Sequence, residues 1–127
     1  MKLDHDQLSY YPYPSQRRVM LGNRWAVATS HPLASLAGTE MLTAGGNAID
    51  AAIAMAITLT VVEPTSNGIG GDACGLVWDG QLHGFNGSGK SPQGLTQEEF
   101  HRERQKTRLG WSMVTVPGAV STWRELW

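Results

Sequence analysis

The stretch Gly45-Gly-Asn-Ala-Ile-Asp-Ala-Ala52 opens an apolar run that ends at Glu63-Pro-Thr-Ser-Asn-Gly-Ile-Gly-Gly-Asp72. Asn47 is placed to cap a helix, and Asp50, three residues later, supplies the negative charge that the positive end of a helix favours. The body of this helix, residues 48–62, is apolar on nearly every side and rich in alanine. The pattern predicts a helix that is buried all round, with small side chains that let neighbouring elements approach closely.

The segments around this helix predict an α+β fold. Four short apolar segments bounded by polar or turn residues are predicted strands: residues 25–29, 74–78, 81–85 and 113–116. The first is predicted to be buried, and Asp79-Gly80 is the predicted two-residue turn between the second and the third. Three further helices are predicted from their start and stop signals: from Ser30-His31-Pro32, with a hydroxyl cap, to Gly45-Gly46, from Thr96 to about Arg108, and from Pro117-Gly118 onward.

The chain is predicted to divide at residue 24. Residues 1–24 are expected to form an extended N-terminal arm, because Pro12 and Pro14 disfavour helix and the tyrosines beside them can pack against the body. Residues 25–127 are expected to form part of one domain. Its last helix has two tryptophans in the final five residues, which is typical of the middle of a core element and predicts a chain that is truncated at its C-terminal end.

Composition excludes several classes of function. The formal net charge is −1 and the Lys and Arg residues are dispersed, so no nucleic-acid partner is predicted. The single cysteine, Cys74, rules out an intrachain disulfide. The chain opens without an apolar signal region, and the apolar run 51–62 is shorter than the roughly 20 residues that a bilayer span needs. The expectation is a cytoplasmic protein with no membrane partner.

Several motifs resemble catalytic or cofactor signatures without their required surroundings. Residues 68–73 match the glycine spacing of a dinucleotide-binding loop, but the predicted helix precedes them and the predicted strand follows, the reverse of what that loop requires. They are interpreted as a tight turn, and no cofactor is predicted. Cys74 has no local general base and is expected to be structural, in a buried strand. His31 and His83 lack metal-ligand spacing, so no metal site is predicted. Thr29 is not expected to be a nucleophile.

The run Asn86-Gly-Ser-Gly-Lys-Ser-Pro92 is the best candidate for a binding site. It leaves a predicted hairpin and presents one cation, Lys90, with Asn86 and Ser88 as hydrogen-bonding groups. A lysine ammonium suits a carboxylate or phosphate. The alternative interpretation is an ordinary turn with an exposed lysine.

The chain resembles the start of the gamma-glutamyltransferase family, in its intracellular branch without a signal peptide, which includes acylases. Four motifs carry the resemblance, which covers residues 9–127: Val27-Ala-Thr-Ser-His-Pro-Leu-Ala34, Gly45-Gly-Asn-Ala-Ile-Asp-Ala-Ala52, Val62-Glu-Pro-Thr-Ser-Asn-Gly-Ile-Gly-Gly-Asp72 and Val114-Thr-Val-Pro-Gly118. The resemblance implies an N-terminal nucleophile hydrolase, of which this chain forms part of a four-layer αββα sandwich. It also implies a precursor that cleaves itself, and a new N-terminal Thr that attacks a gamma-glutamyl amide and passes the acyl group to water or an amine.

The resemblance assigns no catalytic residue to this chain, because the nucleophilic Thr lies in the part of the precursor that is absent. The implied partners are therefore the remainder of the precursor and a small gamma-glutamyl or acyl-amide substrate. Family members bind the substrate carboxylate with an Arg in D-F-R-E-x-x-P, where this chain has Ser88, or in N-x-S-G-R-x-P, where it has Lys90. Lys makes a looser carboxylate contact than the bidentate Arg. The competing hypothesis is a catalytically inactive remnant or an interaction module.

Overall fold

The computed structural model describes residues 20–106 and 110–127, and this part of the chain contains four α-helices and a two-stranded sheet. In chain order the elements are α1 (Pro32–Thr43), α2 (Ala48–Val62), β1 (Cys74–Trp78), β2 (Leu82–Asn86), α3 (Gln97–Lys106), a 3₁₀ turn (Trp111–Met113) and α4 (Ala119–Leu126). The predicted α+β class is confirmed. Most of the predicted arm, residues 1–19, lies outside the described residues. No helix in the described ranges is both long and apolar enough to cross a membrane.

Helix α1 begins at the predicted place but with a different cap. The side chain of His31 is the N-cap, and its Nδ1 accepts a hydrogen bond from the backbone N–H of Leu33 at 3.2 Å. The predicted hydroxyl cap is therefore wrong. The Ser30 hydroxyl instead donates to the Glu63 carboxylate at the far end of α2. The two helices are thereby joined at the end where α1 begins.

Helix α2 begins with the predicted cap. The Asn47 side-chain oxygen accepts from the backbone N–H groups of Ile49 and Asp50 at 2.8 and 3.0 Å. The Asp50 carboxylate in turn accepts from the backbone N–H of Asn47 at 2.8 Å, which completes a capping box. Gly45, at φ 97°, makes the turn out of α1, a conformation that glycine adopts without strain.

Small residues let α1 and α2 approach closely. Ala34 and Gly38 on α1 and Ala51 on α2 are buried, and a Cβ added to Gly38 would lie 2.7 Å from the Met55 side chain. The prediction that α2 is buried all round is wrong for the described residues. Ala51 is the only buried residue of this helix, because α1 covers one side of it and no other described element packs extensively against the rest.

The hairpin is confirmed, with a shift of one residue in its second strand. Strands β1 and β2 pair antiparallel, with Trp78 opposite Leu82 and Cys74 opposite Asn86. The loop has three residues rather than two, because the Asp79 carboxylate accepts from the backbone N–H of Gln81 at 3.1 Å and Gly80 adopts φ 114°. Cys74 is exposed, so the expectation of a buried cysteine is wrong.

Two of the four predicted strands do not form among the described residues. Residues 25–29 pair with no other described segment. Met113 ends the 3₁₀ turn, and the residues 114–116 that follow it make a single backbone bond to residue 88. An apolar segment becomes a strand only where a second segment offers a ladder of hydrogen bonds. The three helices predicted from start and stop signals all form. Thr96 caps α3 in a reciprocal arrangement with Glu99, and α4 begins directly after Gly118.

Candidate functional site

The predicted binding residues lie on a short loop that leaves β2, here named the Lys90 loop (residues 86–90). The side-chain oxygen of Asn86 accepts from the backbone N–H of Ser88 at 3.0 Å, so the first predicted polar residue shapes the loop from within. Gly89 adopts φ 76°, and a Cβ there would clash with the side chain of Val116. The loop therefore requires glycine at this position for both conformation and space.

Backbone bonds hold the Lys90 loop from both sides. The N–H of Gly87 donates to the carbonyl oxygen of Ala73 at 2.8 Å, and the carbonyl oxygen of Ser88 accepts from the N–H of Val116 at 3.2 Å. Ala73 lies just before β1, and Val116 lies just before α4. The loop is thus fixed between the start of the sheet and the segment that leads into the last helix.

Three chain segments meet at the base of the loop, at Gly71, Gly87 and Gly118, and this meeting point is here named the glycine crossing. The carbonyl oxygen of Gly71 accepts from the N–H groups of Gly118 and Ala119, both at 3.0 Å. A Cβ on Gly118 would clash with the carbonyl oxygen of Gly87. The N–H of Gly71 itself donates to the carbonyl oxygen of Gly68 at 3.2 Å, which confirms the tight turn predicted for this glycine-rich motif.

The structure brings together Asn86, Ser88 and a residue that was not predicted as part of the site. The Cys74 sulfur lies 3.7 Å from the side-chain oxygen of Asn86 and 3.9 Å from the Ser88 hydroxyl. Lys90 is exposed and makes no hydrogen bond or ion pair with any described residue. The predicted two-residue loop would have placed Phe85 opposite Cys74. The third loop residue places Asn86 there instead. Loop length is therefore the sequence feature on which the contact between Cys74 and Asn86 depends.

Two clefts are lined by α2, by residues at the start of the sheet and by α4. One, of about 340 Å³, is mostly apolar and lies between α2, β1 and α4. The second, of about 410 Å³, lies between the C-terminal end of α2, the tight turn and the first residue of α4, and Asp72 contributes a carboxylate to it. Lys90 lines neither cleft. Among the described residues no three His, Cys, Asp or Glu side chains cluster in a way that could hold a metal ion.

The far end of the hairpin carries a contact between His83 and Asp79 that is separate from the loop. His83 Nε2 lies 3.1 Å from a carboxylate oxygen of Asp79. The hydrogen bond from the backbone N–H of Gln81, followed by that with His83, holds the pKa of Asp79 below its ordinary value. On α3 the bonds from the backbone and hydroxyl of Thr96 likewise lower the pKa of Glu99. Both carboxylates shape local turns.

Comparisons with known proteins agree on one family. The family model described as gamma-glutamyltranspeptidase matches residues 34–127. The chain is 36% identical to the glutathione hydrolase proenzyme 1 of Schizosaccharomyces pombe, in a match that covers 89% of this chain and 18% of that protein. It is 37% identical to the acylase ACY 1 proenzyme of a Pseudomonas species, over 89% of this chain and 23% of that protein.

One solved structure has a similar backbone fold over most of this chain. The crystal structure of cephalosporin acylase from Bacillus halodurans is 53% identical over 92% of this chain, with a TM-score of 0.68. The match covers 23% of that chain. The chain therefore spans less than a quarter of the length of each of these three relatives.

Proposed function

Because the chain belongs to the gamma-glutamyltranspeptidase family, we propose that it is the N-terminal part of an acyl-transferring hydrolase. This enzyme cleaves gamma-glutamyl or related acyl amides and transfers the acyl group to water or an amine. The observation that carries the proposal is the family match across residues 34–127. The similarity to a glutathione hydrolase and to acylases supports an amide or peptide substrate of this class.

The nucleophile in this proposal is an N-terminal Thr that self-cleavage of the precursor exposes outside residues 1–127. A hydroxyl is a weak nucleophile until a base activates it, and the free amine of an N-terminal Thr can serve as that base. On its own, this chain is then catalytically inactive. The two-stranded sheet with helices beside it is proposed to contribute to a four-layer αββα sandwich, and the location is proposed to be cytoplasmic.

Lys90 is proposed to bind the carboxylate of the acyl donor, with Ser88 and Asn86 beside it. Its ammonium is exposed and unpaired among the described residues, while the loop that carries it is held by two backbone bonds. A cation on a restrained loop loses less conformational entropy on binding than one on a free segment. The Asn86 side-chain oxygen already accepts from the backbone N–H of Ser88. The groups left to donate to a ligand are therefore the side-chain NH2 of Asn86 and the hydroxyl of Ser88.

The proposed protein partner is the remainder of the precursor. The buried apolar residues of the described part are three alanines, Ala34, Ala51 and Ala119, and no large side chain is fully buried. Ile57 and Val61 on α2 are 47% and 77% exposed. Burying a side chain of this size contributes about 1.5–3 kcal/mol, so an uncovered apolar helix favours a partner over an independent module.

The first experiment extends the reading frame past Trp127 and expresses the whole product. We expect the purified product to run as two chains, the shorter beginning with Thr, and to hydrolyse a gamma-glutamyl or a glutaryl anilide. A product that remains one chain and cleaves neither substrate would contradict the proposed enzyme. The inactive-remnant hypothesis would then gain, and it further predicts that residues 1–127 alone elute as a folded monomer on size exclusion.

The second experiment tests Lys90 in the active enzyme. We expect Lys90→Ala to raise KM for a carboxylate-bearing donor by about ten- to hundredfold, since a charged hydrogen bond contributes about 1.5–3 kcal/mol. Lys90→Arg should keep KM near or below its starting value, because guanidinium can contact the carboxylate with two donors. Arg102→Ala, which removes another exposed cation, is the matched control. Unchanged kinetics in Lys90→Ala would support the alternative interpretation, in which Lys90 is an exposed residue of an ordinary turn.

A further inference from the structure

Thr122 is the buried polar side chain of the described residues, with 3% of its surface exposed. It lies in the first half of α4, and its hydroxyl donates to the carbonyl oxygen of Ala73 at 3.3 Å. Burying a hydroxyl is unfavourable unless it makes a hydrogen bond, so this bond accounts for a polar group at this depth. It ties the last helix to the residue that precedes β1.

The same Ala73 carbonyl oxygen also accepts the N–H of Gly87, at 2.8 Å. A carbonyl oxygen has two lone pairs and can accept both bonds at once. A Cβ on Gly87 would clash with the Thr122 hydroxyl oxygen, so this hydroxyl also fills the space beside the Gly87 Cα. Thr122 thus restrains Gly87 in two ways, by sharing its acceptor and by contacting its Cα face.

We propose that Thr122 is a positioning residue for the Lys90 loop. By holding the Ala73 carbonyl it fixes Gly87, the residue at which the loop leaves the sheet, and so fixes the place of the Lys90 ammonium three residues later. Thr122 is too deeply buried to touch the substrate itself. The inference rests on the proposed function, in which Lys90 binds the donor carboxylate.

The test uses the full-length enzyme and two donors, a gamma-glutamyl anilide and its methyl ester, which lacks the negative charge. Thr122→Val keeps the shape of the side chain and removes the hydroxyl. We expect it to raise KM for the free carboxylate about three- to tenfold, the value of one neutral hydrogen bond, with kcat and the KM of the ester unchanged. A merely structural role would lower the active fraction, and with it kcat, for both donors equally.

Two further variants complete the test. Thr122→Ser retains the hydroxyl and should keep the original KM. Thr43→Val removes an exposed hydroxyl whose hydrogen bond lies within α1, and it should change nothing. Where Thr122→Val does not fold, Thr122→Ala, which also lacks the hydroxyl and adds no atoms, takes its place.

The outcomes separate this inference from the proposed function. A carboxylate-specific rise in KM in Lys90→Ala but not in Thr122→Val would overturn the positioning role alone. A rise in Thr122→Ser as large as in Thr122→Val would also overturn it, because the hydroxyl would then be irrelevant. No rise in Lys90→Ala would overturn both the carboxylate site and its positioning residue.

Discussion

The glycine crossing and the outer face of α2 (Ala48–Val62) are opposite kinds of surface in one small structure. At the crossing, backbone atoms of three segments meet so closely that no Cβ fits on Gly87 or Gly118, and the N–H groups there are paired. On α2, apolar side chains such as Val61 stand open to solvent. Gly71 and Gly118 of the crossing lie in the motifs that identify the family, as does the first turn of α2. The crossing is closed by contacts within this chain, and the outer face of α2 is left uncovered by the described residues.

The difference shows what the glycines of this family motif do. In the tight turn and the crossing they permit close backbone approach, which is a structural role. The loop that carries Lys90 is held at the crossing, and Lys90 lines neither the cleft between α2, β1 and α4 nor the cleft beside the tight turn. The proposed carboxylate site, Lys90, therefore lies between two of the family motifs, and the glycines of those motifs have no proposed part in binding.

The largest effect is expected at the crossing. Gly118→Ala should destabilise the full-length protein by about 3 kcal/mol, because its Cβ would meet the backbone carbonyl of Gly87, which cannot move without displacing the loop. Chemical denaturation measures this. Gly94→Ala is the control, since a Cβ at Gly94 meets no atom within 4 Å. Equal stability of the two variants would show that the crossing is looser than its contacts indicate.

The outer face of α2 gives the next test. In the full-length protein Val61→Lys should lower the free energy of unfolding by about 2 kcal/mol, because a partner segment is expected to bury this side chain. Glu40→Lys, an exposed change in the last turn of α1, should stay within about 0.5 kcal/mol. In both variants the new cation lies near a helix C-terminus, so the dipole contribution is similar. No loss of stability in Val61→Lys would favour a free face and an interaction module.

The smallest effect is expected between α1 and α2. Gly38→Ala would place a Cβ 2.7 Å from the Met55 side chain, but a thioether chain can change its rotamer where a carbonyl cannot. We expect a loss of about 1 kcal/mol, well below that of Gly118→Ala, measured by the same denaturation curves. The double variant Gly38→Ala with Met55→Leu isolates the contact. If Gly38→Ala lost as much stability as Gly118→Ala, the Met55 side chain would be as rigid an obstacle as the Gly87 carbonyl, which would contradict this prediction.

The sequence was sufficient for the features that depend on neighbours in the chain. The capping box of α2 and the tight turn at Gly71 each rest on bonds between residues two or three positions apart. The two missing strands and the shifted hairpin register could not be predicted in this way. A strand depends on a partner elsewhere, and a one-residue change in loop length exchanges every cross-strand neighbour.

By itself, the sequence determined the family, the α+β class and the loop on which the candidate cation stands. Motifs of glycine, asparagine and proline encode local backbone geometry, and such geometry is readable without the fold. Only the tertiary structure decided that Cys74 faces Asn86, that α2 is open on its outer side, and that Thr122 and Ala73 hold the base of the Lys90 loop. These contacts join residues up to 49 positions apart, and no local pattern specifies which distant groups will share one carbonyl oxygen.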